Sequence, residues 1–405
     1  MSKPKKWIRF RHRVVRNILF GTLGVYSRLR YGIRIEKFKE QGNRQYLVLF
    51  NHQTAFDQFF VGMSFRGPVY YMASEDLFSN GFVSSLIRYL VAPIPIKKQS
   101  TDVHAVINAM RVAREGGTIA IAPEGNRTYS GRTEYINPAI SLMAKKLGLP
   151  IAFYRIEGGY GVHPRWSDAV RRGRMRSYVS GVLEPEEYKD MSADELYEVI
   201  KRELYVNEAS VSGEFRHPRL AEGLERAIYV CPHCGLSSFK TERDVIECTQ
   251  CGLGARYLPT KELEGVDGEF PFRFVADWYD YQSEFISALD LEAFTEAPLY
   301  RDEACVSEVI VYKKKEILRK TASLALYGDR MVVDEGAENE LLLPFDEVSA
   351  VSVLGRNKLN VYHHKKIYQF KGSKSFNALK YVNVFYRHKN VKKGEADGKL
   401  QFLGL

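Results

Sequence analysis

A histidine and a carboxylate stand five residues apart in Asn51-His52-Gln53-Thr54-Ala55-Phe56-Asp57, directly after the apolar run Tyr46–Phe50. If the chain turns into a helix after His52, Asp57 reaches the near ring nitrogen. It then fixes the tautomer and stabilises the imidazolium that forms when the far nitrogen takes a proton. That is general-base chemistry, worth about 10²–10⁴ in rate, and a histidine of ordinary pKa, roughly 6.5, suits it. The spacing alone is unspecific, because nine histidines and 49 acids make chance pairs common. A second group, Pro123-Glu124-Gly125-Asn126-Arg127-Thr128, follows the apolar run Thr118–Ala122. Arg127 offers a planar fork for a phosphate, Gly125 admits a close backbone approach, and Glu124 can hold the arginine or a substrate hydroxyl, with the Thr128 hydroxyl beside them. A surface turn with a Glu–Arg ion pair is the plain alternative.

Four of the five cysteines form Cys231-Pro-His-Cys234-Gly and Cys248-Thr-Gln-Cys251-Gly, with thirteen residues between the pairs. Each Cys-x-x-Cys-Gly turn can aim two thiolates at one point while Gly235 or Gly252 relieves the backbone that follows, which is the donor set of a tetrahedral Zn²⁺. A closed Cys₄ site leaves no position for substrate, so the metal's expected role is structural, and four thiols kept for metal fit a reducing compartment. His233 reads as a bystander and Cys305 as an isolated core residue.

The elements that must position the first two groups alternate. Strand signals at Tyr46–Phe50, Pro68–Met72, Thr118–Ala122 and Pro150–Ile156 are interleaved with helix signals at Ala105–Arg114 and Pro138–Leu147, predicting an α/β domain with flanking helices on a mixed, largely parallel sheet. Both groups fall at strand ends, where such sheets place chemistry.

Taken together, the two groups resemble the blocks of the PlsC-type glycerol-phosphate and lysophosphatidate acyltransferases, Asn-His-x-Ser-x-x-Asp and Pro-Glu-Gly-Thr-Arg-Ser. Thr54, Asn126 and Thr128 replace residues of those patterns, while His52, Asp57, Glu124, Gly125 and Arg127 match. Ile94-Pro-Ile-Lys-Lys98 is similar to a strand the family ends in arginine, with Lys98 as a point charge in its place, and Leu149-Pro150-Ile151 resembles the final block. The resemblance covers about residues 40 to 205. It implies that His52 activates an acceptor hydroxyl for attack on an acyl thioester, carried by acyl-CoA or acyl-carrier protein. It also implies that Glu124, Gly125, Arg127, Thr128 and Lys98 bind a lysophospholipid acceptor, 1-acyl-sn-glycerol-3-phosphate first among them. Another lyso-lipid, glycerol 3-phosphate, or a catalytically idle lipid-binding scaffold are the alternatives.

The 405 residues carry a net charge of +10, and the first 35 hold ten Lys or Arg with no acid before Glu36. On a helix, Trp7, Phe10, Val14, Ile18, Gly21 and Val25 share one side and Arg9, Arg13 and Arg16 fall nearly opposite. This is an amphipathic pattern for an anionic membrane surface. Its uncharged run, Asn17–Ser27, falls short of the roughly 20 residues a crossing needs. With no secretory pattern read, the expected location is cytoplasmic, on the inner face of the cell membrane. A nucleic-acid role is not expected, since Cys231–Gly252 carries the acids Glu242, Asp244 and Glu247 beside few bases.

The expected order is a membrane-surface segment over 1–40, the acyltransferase domain over 41–210, a zinc ribbon over 226–260, a helical connector over 261–300 and a β-rich domain over 301–405. Val206–His217 reads as a linker and Phe274–Leu289 as a helix packed through its aromatic residues. Strand signals at Glu308–Tyr312, Ser323–Tyr327, Arg330–Val333, Glu340–Pro344 and Tyr368–Phe370, then a helix from Ser375 capped by Ser373 or Ser375, resemble a pleckstrin-homology-like (PH-like) barrel with its closing helix. Lys313, Lys314 and Lys315 read as a solvated strand edge.

Overall fold

The computed structural model describes residues 6–79, 81–96, 103–310 and 313–393. They form two compact units, the first mainly Met1–Pro164 with Val170–Glu208, the second mainly Arg165–Ala169, Ala209–Ile310 and Lys314–Leu405.

The first unit is built on β1 (Ile33–Ile35), β2 (Leu47–Phe50), β3 (Val69–Ser74), β4 (Ile94–Ile96), β5 (Thr118–Ile121), β6 (Ile151–Glu157) and β7 (Met175–Leu183). They stand in the order β1-β7-β6-β2-β5-β3-β4, and only the β6–β7 pair is antiparallel. The helices are α1 (Phe10–Tyr31), α2 (Asp57–Ser64), α3 (Phe82–Val91), α4 (Val103–Arg114), α5 (Ala139–Leu147), α6 (Gly159–Val162), α7 (Pro185–Tyr188) and α8 (Ala193–Leu204). Strand β2 lies between β5 and β6 and is buried on both faces, which explains why its sequence is an unbroken apolar run. Leu47 and Leu49 join a core with Ala109 and Val112 of α4, Ile140 and Met143 of α5, and Leu196 and Ile200 of α8.

Helix α1 has two stripes. His12, Ser27 and Tyr31 are buried, whereas Phe10, Val14, Ile18, Val25 and Leu29 are exposed, Phe10 and Leu29 to 78% and 81%. Helix α1 packs against α2 and α3, and α3 exposes Phe82, Val83, Leu86 and Tyr89 in turn. Arg16 departs from its expected place among the solvent-facing bases. Its guanidinium donates to the carbonyls of Gly62 and Phe65, meeting the negative end of the α2 dipole. No helix among the described residues is long and apolar enough to cross a membrane.

The second unit opens with the short pair β8 (Val230–Cys231) and β9 (Gly235–Leu236). An antiparallel sheet of β10 (Phe239–Glu242), β11 (Val245–Cys248), β12 (Gly254–Tyr257) and β13 (Leu263–Gly265) comes next, followed by α9 (Val275–Ala288). It continues with β14 (Tyr300–Glu308), β15 (Glu316–Leu326), β16 (Arg330–Val333), β17 (Leu341–Pro344), β18 (Val348–Leu354), β19 (Lys358–His363), β20 (Lys366–Gly372) and α10 (Leu379–Lys392). These seven strands make a curled antiparallel half-barrel in the order β17-β16-β15-β14-β20-β19-β18, with α10 packed on β18.

Several bounds differ from the sequence reading, β15 starting at Glu316 rather than Ser323 and β18 and β19 lying where no strand signal was named, and two of the differences have a visible cause. Strand β14 spans Tyr300–Glu308 and shares only Glu308 with the signal read at Glu308–Tyr312, whose last two residues lie outside the described residues; Arg301 and Glu303 occupy outward positions of a half-buried strand and disguise its apolar period. The last helix begins at Leu379 rather than Ser375, and the Asn377 side chain, not Ser373 or Ser375, accepts the Lys380 amide at 3.1 Å.

Where β2 leaves the sheet, the buried Asn51 amide pairs twice with the backbone of Ile156 on β6, donating to its carbonyl at 2.9 Å and accepting its amide at 2.8 Å. Asn51→Ala strands both backbone groups. The expected loss is about 2–4 kcal/mol, read as a lower thermal or urea midpoint against wild type.

Candidate functional site

His52 is the first residue beyond Asn51, and the turn Gln53–Phe56 carries the chain into α2 at Asp57. The Asp57 carboxylate is fully buried and accepts the amides of Gln53 at 2.6 Å and Thr54 at 2.9 Å, the Thr54 hydroxyl at 2.6 Å and His52 Nδ1 at 2.8 Å. Every one of those contacts uses the carboxylate as an acceptor, so Nδ1 carries the ring proton and Nε2 presents its lone pair. The His52 side chain remains 23% exposed while Asp57 is closed to solvent, an accessible imidazole on a shielded carboxylate.

The second motif holds His52 by its backbone. The Glu124 carboxylate accepts the His52 amide at 2.9 Å, and the Thr128 amide donates to the His52 carbonyl at 3.2 Å. The other Glu124 oxygen accepts the Glu134 amide at 3.3 Å. Burial pushes the Glu124 carboxyl up to about 8. The His52 and Glu134 amides pull it down, and the Glu134 and Asp57 carboxylates add to the rise. Gly125 turns the loop at a φ of +70°. The buried Thr128 hydroxyl is engaged inside the loop, accepting the Gly131 amide at 2.9 Å and donating to Glu134 at 3.2 Å. Arg127 lies half-buried close enough to Tyr31 for its charge to oppose the phenol's rise to about 12, which burial causes. Thus His52, Asp57, Glu124, Gly125, Arg127 and Thr128 lie together at the ends of β2 and β5; Lys98 lies outside the described residues.

Four further residues take part that the sequence reading gave no role of their own. Thr54 locks the turn by donating to Asp57 and accepting the Phe56 amide at 3.1 Å. The Gln53 side-chain carbonyl accepts the Tyr160 amide at 2.9 Å, and Glu134 ties Thr128 to Tyr129. Tyr31, at the end of α1, packs on Phe56 and Phe60 with ring centroids 5.1 and 5.8 Å away. Only Thr54 carried a signal, as the hydroxyl in the first motif.

In the second unit, Cys231, Cys234, Cys248 and Cys251 bring their sulfurs within 4.8 Å of one another. Cys231 and Cys251 sulfurs stand 3.7 Å apart, the edge of a tetrahedron whose centre lies about 2.3 Å from each, which is the Zn–S length. Burial raises the Cys248 thiol, but the amides of Cys251 and Gln250 and the Ser237 hydroxyl donate to it and bring it down to about 7. Gly235 and Gly252 close the two turns at φ +74° and +76°. The donor set fits a tetrahedral zinc ion, and His233 is not part of it.

Residues 32–156 match the protein-family model described as Acyltransferase. The 1-acyl-sn-glycerol-3-phosphate acyltransferase of Borreliella burgdorferi is 29% identical over 113 residues, 27% of this chain, and the chain spans 45% of that relative's length. Among solved structures, the 1-acyl-sn-glycerophosphate (LPA) acyltransferase PlsC from Thermotoga maritima matches with a TM-score of 0.40 and 21% identity over 48% of this chain and 76% of that one.

The raised Glu124 pKa fixes the sign of a pH effect. The fold favours the protonated carboxyl, so its stabilisation is complete below about 4.3, the unfolded pKa, and is lost as pH rises toward about 8. Thermal midpoints of wild type should fall relative to those of Glu124→Gln across that window, with a slope of up to about 1.4 kcal/mol per pH unit.

Proposed function

We propose that the first unit is the catalytic core of an O-acyltransferase that acylates a lysophospholipid, 1-acyl-sn-glycerol-3-phosphate to phosphatidic acid being the favoured step. The observation that carries this reading is the 2.8 Å bond from His52 Nδ1 to a buried Asp57 that three neighbouring donors also hold. The acceptor hydroxyl attacks the thioester carbonyl of acyl-CoA or acyl-carrier protein while its proton passes to His52 Nε2. Asp57 stabilises the imidazolium. When the tetrahedral intermediate collapses, the carbon–sulfur bond breaks and the departing thiolate takes the proton from Nε2. No acyl-enzyme is required, because the thioester is already activated. Arg127 is assigned to the acceptor phosphate and Glu124 to holding the His52 backbone.

A water-insoluble acceptor is best met at a bilayer. The exposed stripe Phe10, Val14, Ile18, Val25 and Leu29, with Arg13, Arg28 and Arg30 exposed on the same helix and Arg9 exposed at its N-cap, suits insertion among anionic lipids, and the exposed apolar residues of α3 add to it. On this reading the protein lies on the cytoplasmic face of the membrane. The four cysteines are assigned a structural Zn²⁺, which adds stability to the second unit without entering the reaction. The half-barrel closed by α10 is read as PH-like.

Acyl transfer to lysophosphatidate and to glycerol 3-phosphate in anionic vesicles, with both donor types, tests the assignment. His52→Ala should reduce turnover by about 10²–10⁴ or more. Unchanged turnover would exclude the mechanism. Leu29→Asp, a change at an exposed position, should weaken vesicle co-sedimentation by about tenfold or more, from the lost apolar burial and the added charge. Binding equal to wild type would remove α1 from the membrane contact.

A further inference from the structure

We propose that Glu347, His363 and His364 form a second metal site, for a divalent transition ion of the zinc type, at the tip of the β19–β20 hairpin. The register pairs His363 with Lys366, so the turn consists of His364 and Lys365 alone. Consecutive residues of a strand point to opposite faces, and two adjacent histidines would normally diverge. Here His364 takes a φ of +50°, a conformation that turns usually assign to Gly, Asn or Asp. The two imidazoles therefore lie on one side, with ring centroids 4.1 Å apart.

The sheet supplies the third donor. Glu347 precedes β18, whose first residue, Val348, pairs with His363. One Glu347 oxygen stands 3.2 Å from His363 Nε2 and 3.1 Å from His364 Nε2, and the three donor atoms lie within 4.8 Å of one another. A tetrahedral ion with ligands at about 2.0–2.2 Å requires ligand atoms about 3.3–3.6 Å apart, so the trio needs little movement to close on one. Two imidazole nitrogens and one carboxylate oxygen suit Zn²⁺, Ni²⁺ or Cu²⁺ rather than Ca²⁺ or Mg²⁺. The Glu347 and His364 side chains are 51% and 63% exposed, which leaves the fourth position to water. Bound metal would clip the hairpin tip to the start of β18 and stabilise the half-barrel by mass action.

Zn²⁺ is titrated calorimetrically into the full chain after its cysteine cluster has been saturated with Zn²⁺. One further equivalent should bind. His364→Gly keeps the positive φ and removes one ligand, while Glu347→Gln keeps the shape and removes the charge. Each should weaken that equivalent by about tenfold or more. The rise in melting temperature that the second equivalent gives wild type should shrink in both. Co²⁺ separates the sites, because ions on thiolates give intense near-ultraviolet charge-transfer bands, whereas the further equivalent should add only weak visible bands. No further equivalent in wild type, or an isotherm unchanged in His364→Gly, would overturn the proposal and leave the trio as a carboxylate accepting from two imidazoles.

Discussion

The geometry of the candidate site in the first unit depends on one buried carboxylate. Asp57 draws the His52 ring, the amides of Gln53 and Thr54 and the Thr54 hydroxyl onto its two oxygens, and it stands at the first turn of α2, where the helix dipole favours negative charge. The same contacts therefore shape the turn, start the helix and orient the imidazole. A residue exchange that spared the histidine but disturbed this donor set would also alter how β2 leaves the sheet.

Glu124 works on the other side of the same residue. By holding the His52 amide it fixes where the ring begins, while Asp57 fixes where it points. The strands make this possible: β2 and β5 are adjacent and parallel, so their two exit loops emerge at the same edge. Residues 72 positions apart in sequence meet because the sheet order requires it.

The His52–Asp57 juxtaposition was legible in the sequence because its two side chains are separated by a single turn, and the cysteine cluster because each Cys-x-x-Cys turn already brings two of the four thiols together. The strand and helix runs around them were legible from apolar periodicity. The work of Glu124 and Asn51 was not, since both bind backbone groups, and every residue presents the same amide and carbonyl whatever its side chain. Tyr31 escaped notice because its partners Phe56 and Phe60 come together only when α1 packs against α2. The inner stripe of α1 was hidden for a related reason. It includes His12, Ser27 and the small Gly24, which leave no hydrophobic signature, and Arg16 serves α2 instead of solvent.

The two stripes of α1 also make that helix intolerant of changes in length. Its 22 residues form one continuous rod, with Tyr31 near the His52–Asp57 turn at one end and the exposed apolar residues spaced along it. At 3.6 residues per turn, one inserted residue rotates everything beyond it by about 100°, carrying the outer stripe toward the protein and the inner stripe toward solvent. Insertions of about seven residues, nearly two whole turns, restore the phase and lengthen the rod by about 10 Å. Related chains that vary this helix should therefore do so in steps that keep the angle between Tyr31 and the outer apolar residues.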